Sequence, residues 1–354
     1  MNVLQLIDTL EAGGAERMAV NLANAGTQHT YQSFLCATRA GGPLATGLNN
    51  DIPLLITYKK RISDIRALRA LVDFVKKHQI DIIHAHSTSI YTAFLVKMIL
   101  PSVKLVWHDH YGWSEALDKR STKGLGLIAR FMTGAVACNK KLRDWAGERL
   151  GVKKCLYLPN FSVPQTTGLQ TEIFGTKGKR IVCLANLRPQ KNHLELLEVF
   201  ASFYKNHPEY SLHLVGKNFE DEYAQKIKTS IKALGLEKAV FSYGSRPDST
   251  AILEMMDIAV LLSTSEGLPL ALLEYGMAAL PTVVTDVGMC SEVVADTAFV
   301  VQNVQREALG YLEQYHQQPE LKKKMGMAFR HRIHKEFDAS KSAQELFTFY
   351  QSLA

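Results

Sequence analysis

Ile258-Ala259-Val260-Leu261-Leu262-Ser263-Thr264-Ser265-Glu266-Gly267-Leu268-Pro269-Leu270-Ala271-Leu272-Leu273-Glu274 is the stretch whose reading decides the fold. Its first five residues are apolar without interruption, the mark of a strand buried on both faces. A short polar loop follows. Pro269 then suits the first turn of a helix, where its missing N–H costs nothing. Glu266 lies in the loop before that helix and Glu274 inside it. A buried strand running straight into a helix is half of a βαβ unit, the building block of a parallel sheet covered by helices.

The same alternation extends in both directions. Before the middle of the chain, β-branched apolar runs predict strands at 3–7, 33–37, 52–57, 80–85, 104–108, 135–138 and 156–158. After it they predict strands at 180–185, 211–215, 239–242, 258–262, 282–285 and 298–301. Helical patterns lie between them; Ile65, Leu68, Val72 and Val75 recur at i, i+3, i+7 and i+10 as one apolar stripe. Gln165-Thr166-Thr167-Gly168-Leu169-Gln170-Thr171, after Pro159 and Pro164, is polar and reads as a linker. The expectation is α/β: two doubly wound parallel-sheet domains, 1–164 and 165–338, facing a cleft. Ligands in such sheets bind at the carboxyl ends of the strands, so the cleft is where chemistry is expected.

Composition agrees with a folded chain of two domains: 354 residues, 47% hydrophobic and 21% charged. The N-terminus lacks the basic flank and unbroken apolar run of a secretory signal. The apolar stretch 90–107 carries Lys97, Lys104 and Pro101, so no membrane span is expected. Five scattered cysteines without a Cys-x-x-Cys pair read as buried free thiols in a reducing cytoplasm. Charge is uneven. Residues 1–165 hold 21 Lys and Arg against 12 Asp and Glu, a net of +9, and the remainder nets −2. A basic first half suits an anionic partner; without zinc-finger spacing or an RNP-type aromatic motif, nucleic acid is not expected. Lys59, Lys60, Arg61, Arg66, Arg69, Lys76 and Lys77 surround the 65–75 stripe, and 119–132 mixes cations with an apolar run. Either patch suits peripheral contact with an anionic membrane. The competing reading of the stripe is the core face of an ordinary helix.

Four segments carry candidate chemistry. Around the opening stretch, the free amides and positive dipole end of a helix N-terminus suit a diphosphate, and Glu266 and Glu274 can accept hydrogen bonds from sugar hydroxyls. In Ala185-Asn186-Leu187-Arg188-Pro189-Gln190-Lys191-Asn192-His193, a lysine at a strand-to-helix turn can neutralise a diphosphate and the charge that builds on it as a glycosidic bond breaks. Gly13-Gly14-Ala15-Glu16-Arg17 follows the first strand, and paired glycines let backbone approach a ligand. Arg17 fits a structural role as well as a functional one. Trp107-His108-Asp109-His110-Tyr111-Gly112 ends a buried strand. His108 with His110, and His84 with His86, invite a metal reading, but no further ligands have suitable spacing, and no metal is expected.

Glu266-x7-Glu274 with Gly267-Leu268-Pro269 inside it, then Leu280-Pro281-Thr282-Val283-Val284-Thr285-Asp286-Val287-Gly288 and Glu292, resembles the retaining glycosyltransferase family 4, a group with the GT-B fold. Leu214-Val215-Gly216, Tyr243-Gly244-Ser245-Arg246 and Asp257 extend the resemblance over most of the chain. It implies that Glu274 binds the donor ribose and that Glu266 lies near the hydroxyls of the transferred sugar. The loop of Gly267, Leu268, Pro269, Leu270 and Ala271 then lies near sugar and phosphates. It implies Lys191 at the diphosphate, Gly13 and Gly14 near donor phosphates and acceptor, and His108 pointing into the cleft toward the donor sugar. Arg246 falls near the nucleotide base, and the final helical segment, 339–354, packs back on the first domain. The chain departs from the family pattern Gly-Arg-Leu-x-x-x-Lys-Gly: Ala185 replaces the glycine and Asn186 the arginine, so Arg188 is the candidate to reach the same phosphates.

Rival motifs fail on context. Gly124-Leu125-Gly126-Leu127-Ile128-Ala129 fits a dinucleotide string but follows no strand. There is no Walker A sequence and no Asp-x-Asp. The resemblance implies a metal-independent, cofactor-free cytoplasmic enzyme. It moves a sugar, with retention, from a nucleotide-sugar donor (UDP being commonest) to a glycan or lipid-linked acceptor of bacterial surface polysaccharide. A nucleotide-sugar epimerase or hydrolase of the same fold, and a non-catalytic nucleotide-sugar-binding protein, are the alternatives.

Overall fold

The structure, a computed structural model, describes residues 1–26, 31–61, 64–112, 114–163, 168 and 170–353. The chain divides into two compact units, Met1–Val163 with Ala339–Ala354, and Pro164–Asp338. Of the expected linker, residues 165–167 and 169 lie outside the described residues. Gln170 and Thr171 are tied down: both backbone amides donate to Asp248 Oδ2 at 2.7 Å.

The first unit is a seven-stranded sheet: β1 (Asn2–Thr9), β2 (Gln32–Ala40), β3 (Leu54–Ile56), β4 (Ile82–His86), β5 (Lys104–Asp109), β6 (Gly134–Ala137) and β7 (Cys155–Tyr157). The order is β3-β2-β1-β4-β5-β6-β7, with parallel pairing throughout. The second unit has β8 (Arg180–Leu184), β9 (Ser211–Val215), β10 (Val240–Gly244), β11 (Ile258–Leu261), β12 (Thr282–Thr285) and β13 (Phe299–Val301). Their order is β10-β9-β8-β11-β12-β13, also parallel. In each sheet the chain builds outward from its first strand one way and then the other, so each has a topological switch point: between β1 and β4, and between β8 and β11.

Every expected strand is present with its ends moved by a few residues. The run 52–57 contracts to Leu54–Ile56, after Pro53, which has no N–H for a ladder. Pro269 sits one position before the helix Leu270–Met277, as its extended N-cap (φ −74°, ψ 119°). Other helix ends follow from side-chain caps. Asn139 Oδ1 accepts from Leu142 N at 2.8 Å to open Lys140–Leu150, and Gly151 (φ 71°) closes it in the left-handed region.

Burial corrects the reading of 65–75. Helix Ile65–Lys77 buries Ala67, Leu71, Val72 and Val75 in the core of the first unit, while Ile65 is 78% exposed. The stripe is a core face rotated by about a sixth of a turn, not a membrane face. The final helix, Ala339–Ser352, belongs to the first unit and sets Tyr350 against it, edge-on to Tyr31 at 5.9 Å. Among the described residues no helix is long and apolar enough to cross a membrane. Among the described residues no disulfide joins the five cysteines.

Candidate functional site

The switch point of the second unit gathers the strongest candidates. After β8 the chain runs through Ala185 and Asn186, makes a tight turn at Pro189–Lys191, and enters helix His193–Tyr204 through Asn192 (φ 55°). After β11 it runs through Ser263 to Leu268 and into helix Leu270–Met277. The two loops are stapled together, Thr264 N donating to Gln190 O at 2.8 Å. Across that staple Lys191 Nζ reaches Glu266 Oε1 at 2.5 Å, and Ser263 Oγ donates to the same oxygen at 2.6 Å. The Glu266 side chain is 7% exposed and that of Lys191 21%. A cation and a carboxylate are thus held, half-dry, at the open end of the strands. Glu274 is buried one turn inside the helix.

Glycine makes this geometry possible at two places. Gly288 (φ +57°) lies so close under the Glu266 loop that a Cβ there would sit 2.1 Å from Glu266 O, and Met289 N donates to Gly267 O at 2.9 Å. Gly216 passes equally close to Ala185 O, at 2.1 Å from its own missing Cβ. Any side chain at either position pushes a loop away from the site.

Tyr275 is a site-building residue that sequence reasoning missed. β8 and β11 pair only through Ile258–Ile181 and Ala259–Val182, then part. The Tyr275 hydroxyl fills the gap, accepting from Leu184 N at 2.6 Å and donating to Val260 O at 3.4 Å. A tyrosine in an apolar helix gives no sequence signal for this role, because the splayed strands exist only in the assembled sheet. His193 is also buried beside Lys191. Burial first, then Lys191, lowers it to about 4, against a backbone hydrogen bond with Ala185.

The other expected cations go elsewhere. The Arg188 guanidinium lies over the Phe219 ring at 4.7 Å. Asn186, standing where the family has arginine, turns its carbonyl to Lys217 N at 2.8 Å and so ties the loop after β8 to that after β9. Arg246 is exposed and lines a depression of about 460 Å³ with Phe174, Phe241 and Tyr243 along edge strand β10.

In the first unit, Gly13 and Gly14 follow β1, and helix Gly14–Gly26 begins at the second of them. The place of a Gly13 Cβ is taken by the folded-back Glu16 carboxylate, 2.1 Å away, which also accepts from Thr9 Oγ1 at 3.3 Å. Asp8, another residue the sequence left unmarked, accepts from Thr38 and Thr88 at 2.6 Å each, gathering the carboxyl ends of β1, β2 and β4. Burial works to raise Asp8, but these bonds with Lys59 and Arg39 outweigh it and hold it below the usual carboxylate range.

His108 does not face solvent. It is fully buried, with both ring nitrogens unpartnered among the described residues, inside a stack with His84, His86 and the partly buried His110. Register explains the stack: His86 lies beside His108, His84 and His86 share a face of β4, and Gln5 lies beside His84. His86 is bonded to Gln5 Oε1 at 2.9 Å and to His110 Nε2 at 3.0 Å, and His84 Nδ1 meets the Tyr350 hydroxyl. The sheet therefore supplies the further ligands that spacing did not reveal, since nitrogens of His84, His86 and His108 fall within 4.8 Å of one another. The ring planes, however, lie within 7–29° of parallel. Imidazole lone pairs lie in the ring plane, so stacked rings do not converge on one ion.

Two cations of the expected basic patches are internal. Lys59 is buried, bonded to Thr92 Oγ1 and 3.5 Å from Asp8. Arg120 grips Asp109 through two bonds of 2.5 and 2.9 Å, with Tyr111 and Trp145 rings 4.2 and 4.3 Å from its guanidinium carbon. Each is drawn inward by a withdrawn carboxylate.

Two family models match consecutive parts of the chain: Glycosyltransferase Family 4 over residues 12–161, and Glycosyl transferases group 1 over 169–332. Among curated proteins, the chain is 27% identical over 274 residues to the UDP-Gal:alpha-D-GlcNAc-diphosphoundecaprenol alpha-1,3-galactosyltransferase of Escherichia coli, covering 70% of each chain. It is 25% identical over 320 residues to the O-antigen biosynthesis glycosyltransferase WbnH of Escherichia coli, covering 88% of each. Among solved structures, Anabaena Alr3699/HepE in complex with UDP-glucose superposes with a TM-score of 0.82 at 17% identity, over 99% of this chain and 100% of that one. With two doubly wound parallel sheets, a matching family model on each and this structural likeness, the chain belongs to the group 1 glycosyltransferases of the GT-B type.

Proposed function

We propose that the protein moves a sugar, with retained anomeric configuration, from a UDP-sugar to a lipid-linked or glycan acceptor in bacterial surface polysaccharide assembly. The observation that carries this reading is the Lys191–Glu266 pair at the β8–β11 switch point, ahead of the N-terminus of helix Leu270–Met277. Lys191 and the helix amides neutralise the donor diphosphate and the charge gained as the glycosidic bond breaks. Glu266 and Glu274 orient sugar and ribose hydroxyls, and the departing phosphate takes the acceptor proton. No divalent metal or cofactor is required in this scheme, because Lys191 supplies the charge. The relative that acts on a diphosphoundecaprenol-linked sugar supports the acceptor class. The Anabaena structure with UDP-glucose supports the donor.

We assign the acceptor to the first unit and place its membrane contact on helices Ile90–Ile99 and Leu125–Ala129. Tyr91, Met98, Ile99, Leu127 and Phe131 are exposed there, and the Phe94 and Phe131 rings meet at 5.2 Å. Exposed Lys119, Lys123 and Arg130 border the apolar residues. Apolar side chains flanked by cations suit an anionic bilayer surface, at up to about 1 kcal/mol per cation.

The test is a thermal-shift screen of UDP, GDP and ADP sugars, then an acceptor assay in EDTA with the product anomer read by NMR. Stabilisation by UDP sugars and a retained anomer support the reading. Donor turnover without acceptor identifies a hydrolase or epimerase instead, and loss of transfer in EDTA overturns metal independence.

A further inference from the structure

A second cluster of ligating side chains lies at the other end of the second sheet, where the strands begin. The turn between helix His193–Tyr204 and β9 brings up His207, Glu209 and Tyr210, and the end of helix Leu309–Gln317 brings up Glu313 and His316. One ligating atom each from His207, Glu209 and His316 lies within 4.8 Å of the other two. The two imidazoles are 4.0 Å apart between centroids and tilted by 45°. Unlike the four-histidine stack, their in-plane lone pairs are not parallel.

Each ring is already oriented through one nitrogen. Glu313 Oε2 holds His207 Nε2 at 2.9 Å, and the Tyr210 hydroxyl holds His316 Nδ1 at 3.1 Å. A carboxylate behind a histidine aligns the ring and raises its basicity as a ligand, the usual outer partner of a metal-bound imidazole. The other nitrogen of each ring remains for an ion. Glu209 is exposed, so an ion has an entry path. Its 3.4 Å pair with Lys179 is a surface pair of little worth.

We propose that His207, Glu209 and His316 form a binding site for a divalent transition metal ion of the zinc class. The ion ties the turn before β9 to the end of helix Leu309–Gln317. Two histidines and one carboxylate, with water in the remaining position, match zinc's ligand preference. Because the site lies where the strands begin, and Lys191 and Glu266 lie where they end, its effect is on the stability of this unit and not on transfer.

Zinc titrated calorimetrically into the untagged full chain at neutral pH, with cobalt(II) visible absorption as a second readout, tests this. Expected are one ion per chain, d–d bands of a low-coordinate cobalt site and a raised Tm. His207→Ala and His316→Ala should abolish the binding, and Glu313→Gln should weaken it about ten-fold. Circular dichroism checks that each variant is folded, and surface Glu209→Gln is the fallback where a histidine variant is not. No binding by the wild type overturns the proposal. So does binding that survives His207→Ala, His316→Ala and Glu209→Gln, since it would then reside elsewhere, as in the histidine stack.

Discussion

Lys191 Nζ and Glu266 Oε1 lie 2.5 Å apart, joining the loops after β8 and β11 by a charge-assisted bond that Ser263 reinforces. Lys191→Ala is expected to lower kcat by about 10²–10³, the usual cost of removing one donor aimed at developing charge. Glu274→Ala should likewise abolish transfer with the fold retained. Single-turnover assays at saturating donor, with Tm measured alongside, check both. Near wild-type turnover in either variant refutes the assignment.

Gly288→Ala forces a methyl against Glu266 O at a backbone angle that favours glycine. We expect loss of about 1–3 kcal/mol of stability and a large loss of activity, because the displaced loop carries Glu266. Gly235→Ala is the control: its φ is +68° but nothing lies within 4 Å of the added carbon. It should cost about 1–2 kcal/mol and leave kcat unchanged. Urea unfolding and kcat measured on both variants separate strain from loop displacement.

Arg120→Met leaves the Asp109 carboxylate buried without its cation, and should cost about 3–5 kcal/mol. Burial already raises Asp109, against the lowering bonds from Arg120. Adding Asp109→Asn should restore part of the loss. Chemical denaturation of the single and double variants measures it. A loss under about 1 kcal/mol in the single variant would mean that Arg120 is a surface cation after all.

The histidine stack makes stability depend on pH with a definite sign. Burial first, then neighbouring histidines, lowers His84 to about 3 and His86 and His108 well below their ordinary value; burial alone takes His110 to about 3. In the unfolded chain they titrate near 6.5. Between about pH 3 and 6.5 the unfolded state therefore binds more protons, and stability falls as pH falls through that window. The slope is up to about 1.4 kcal/mol per pH unit for each histidine. Above about pH 7 the stack contributes no slope. Melting curves from pH 7 to 4.5 should show a steep fall in Tm, flatter in His110→Gln. Parallel curves for the two proteins would refute a neutral His110.

The local pattern of the chain was enough for two parallel α/β units, because apolar runs and turn residues are properties of neighbours in sequence. The strand-to-helix loops carrying Lys191 and Glu266, and the helix carrying Glu274, were legible for the same reason. What only the tertiary structure decided was which of those loops meet. Strand order places β8 beside β11, across about 75 residues of chain, and so puts Lys191 on Glu266. Arg188, three residues before Lys191, turns to Phe219 instead, which no spacing reveals. Strand register likewise turned His84, His86, His108 and His110 from two separate pairs into one buried stack. Lys59 and Arg120 look like surface cations in the sequence because charge alone does not say where the partner is. The half-buried carboxylate of Asp8 and the buried one of Asp109 pull them inward, since leaving such a group unpaired would cost more than burying the cation beside it.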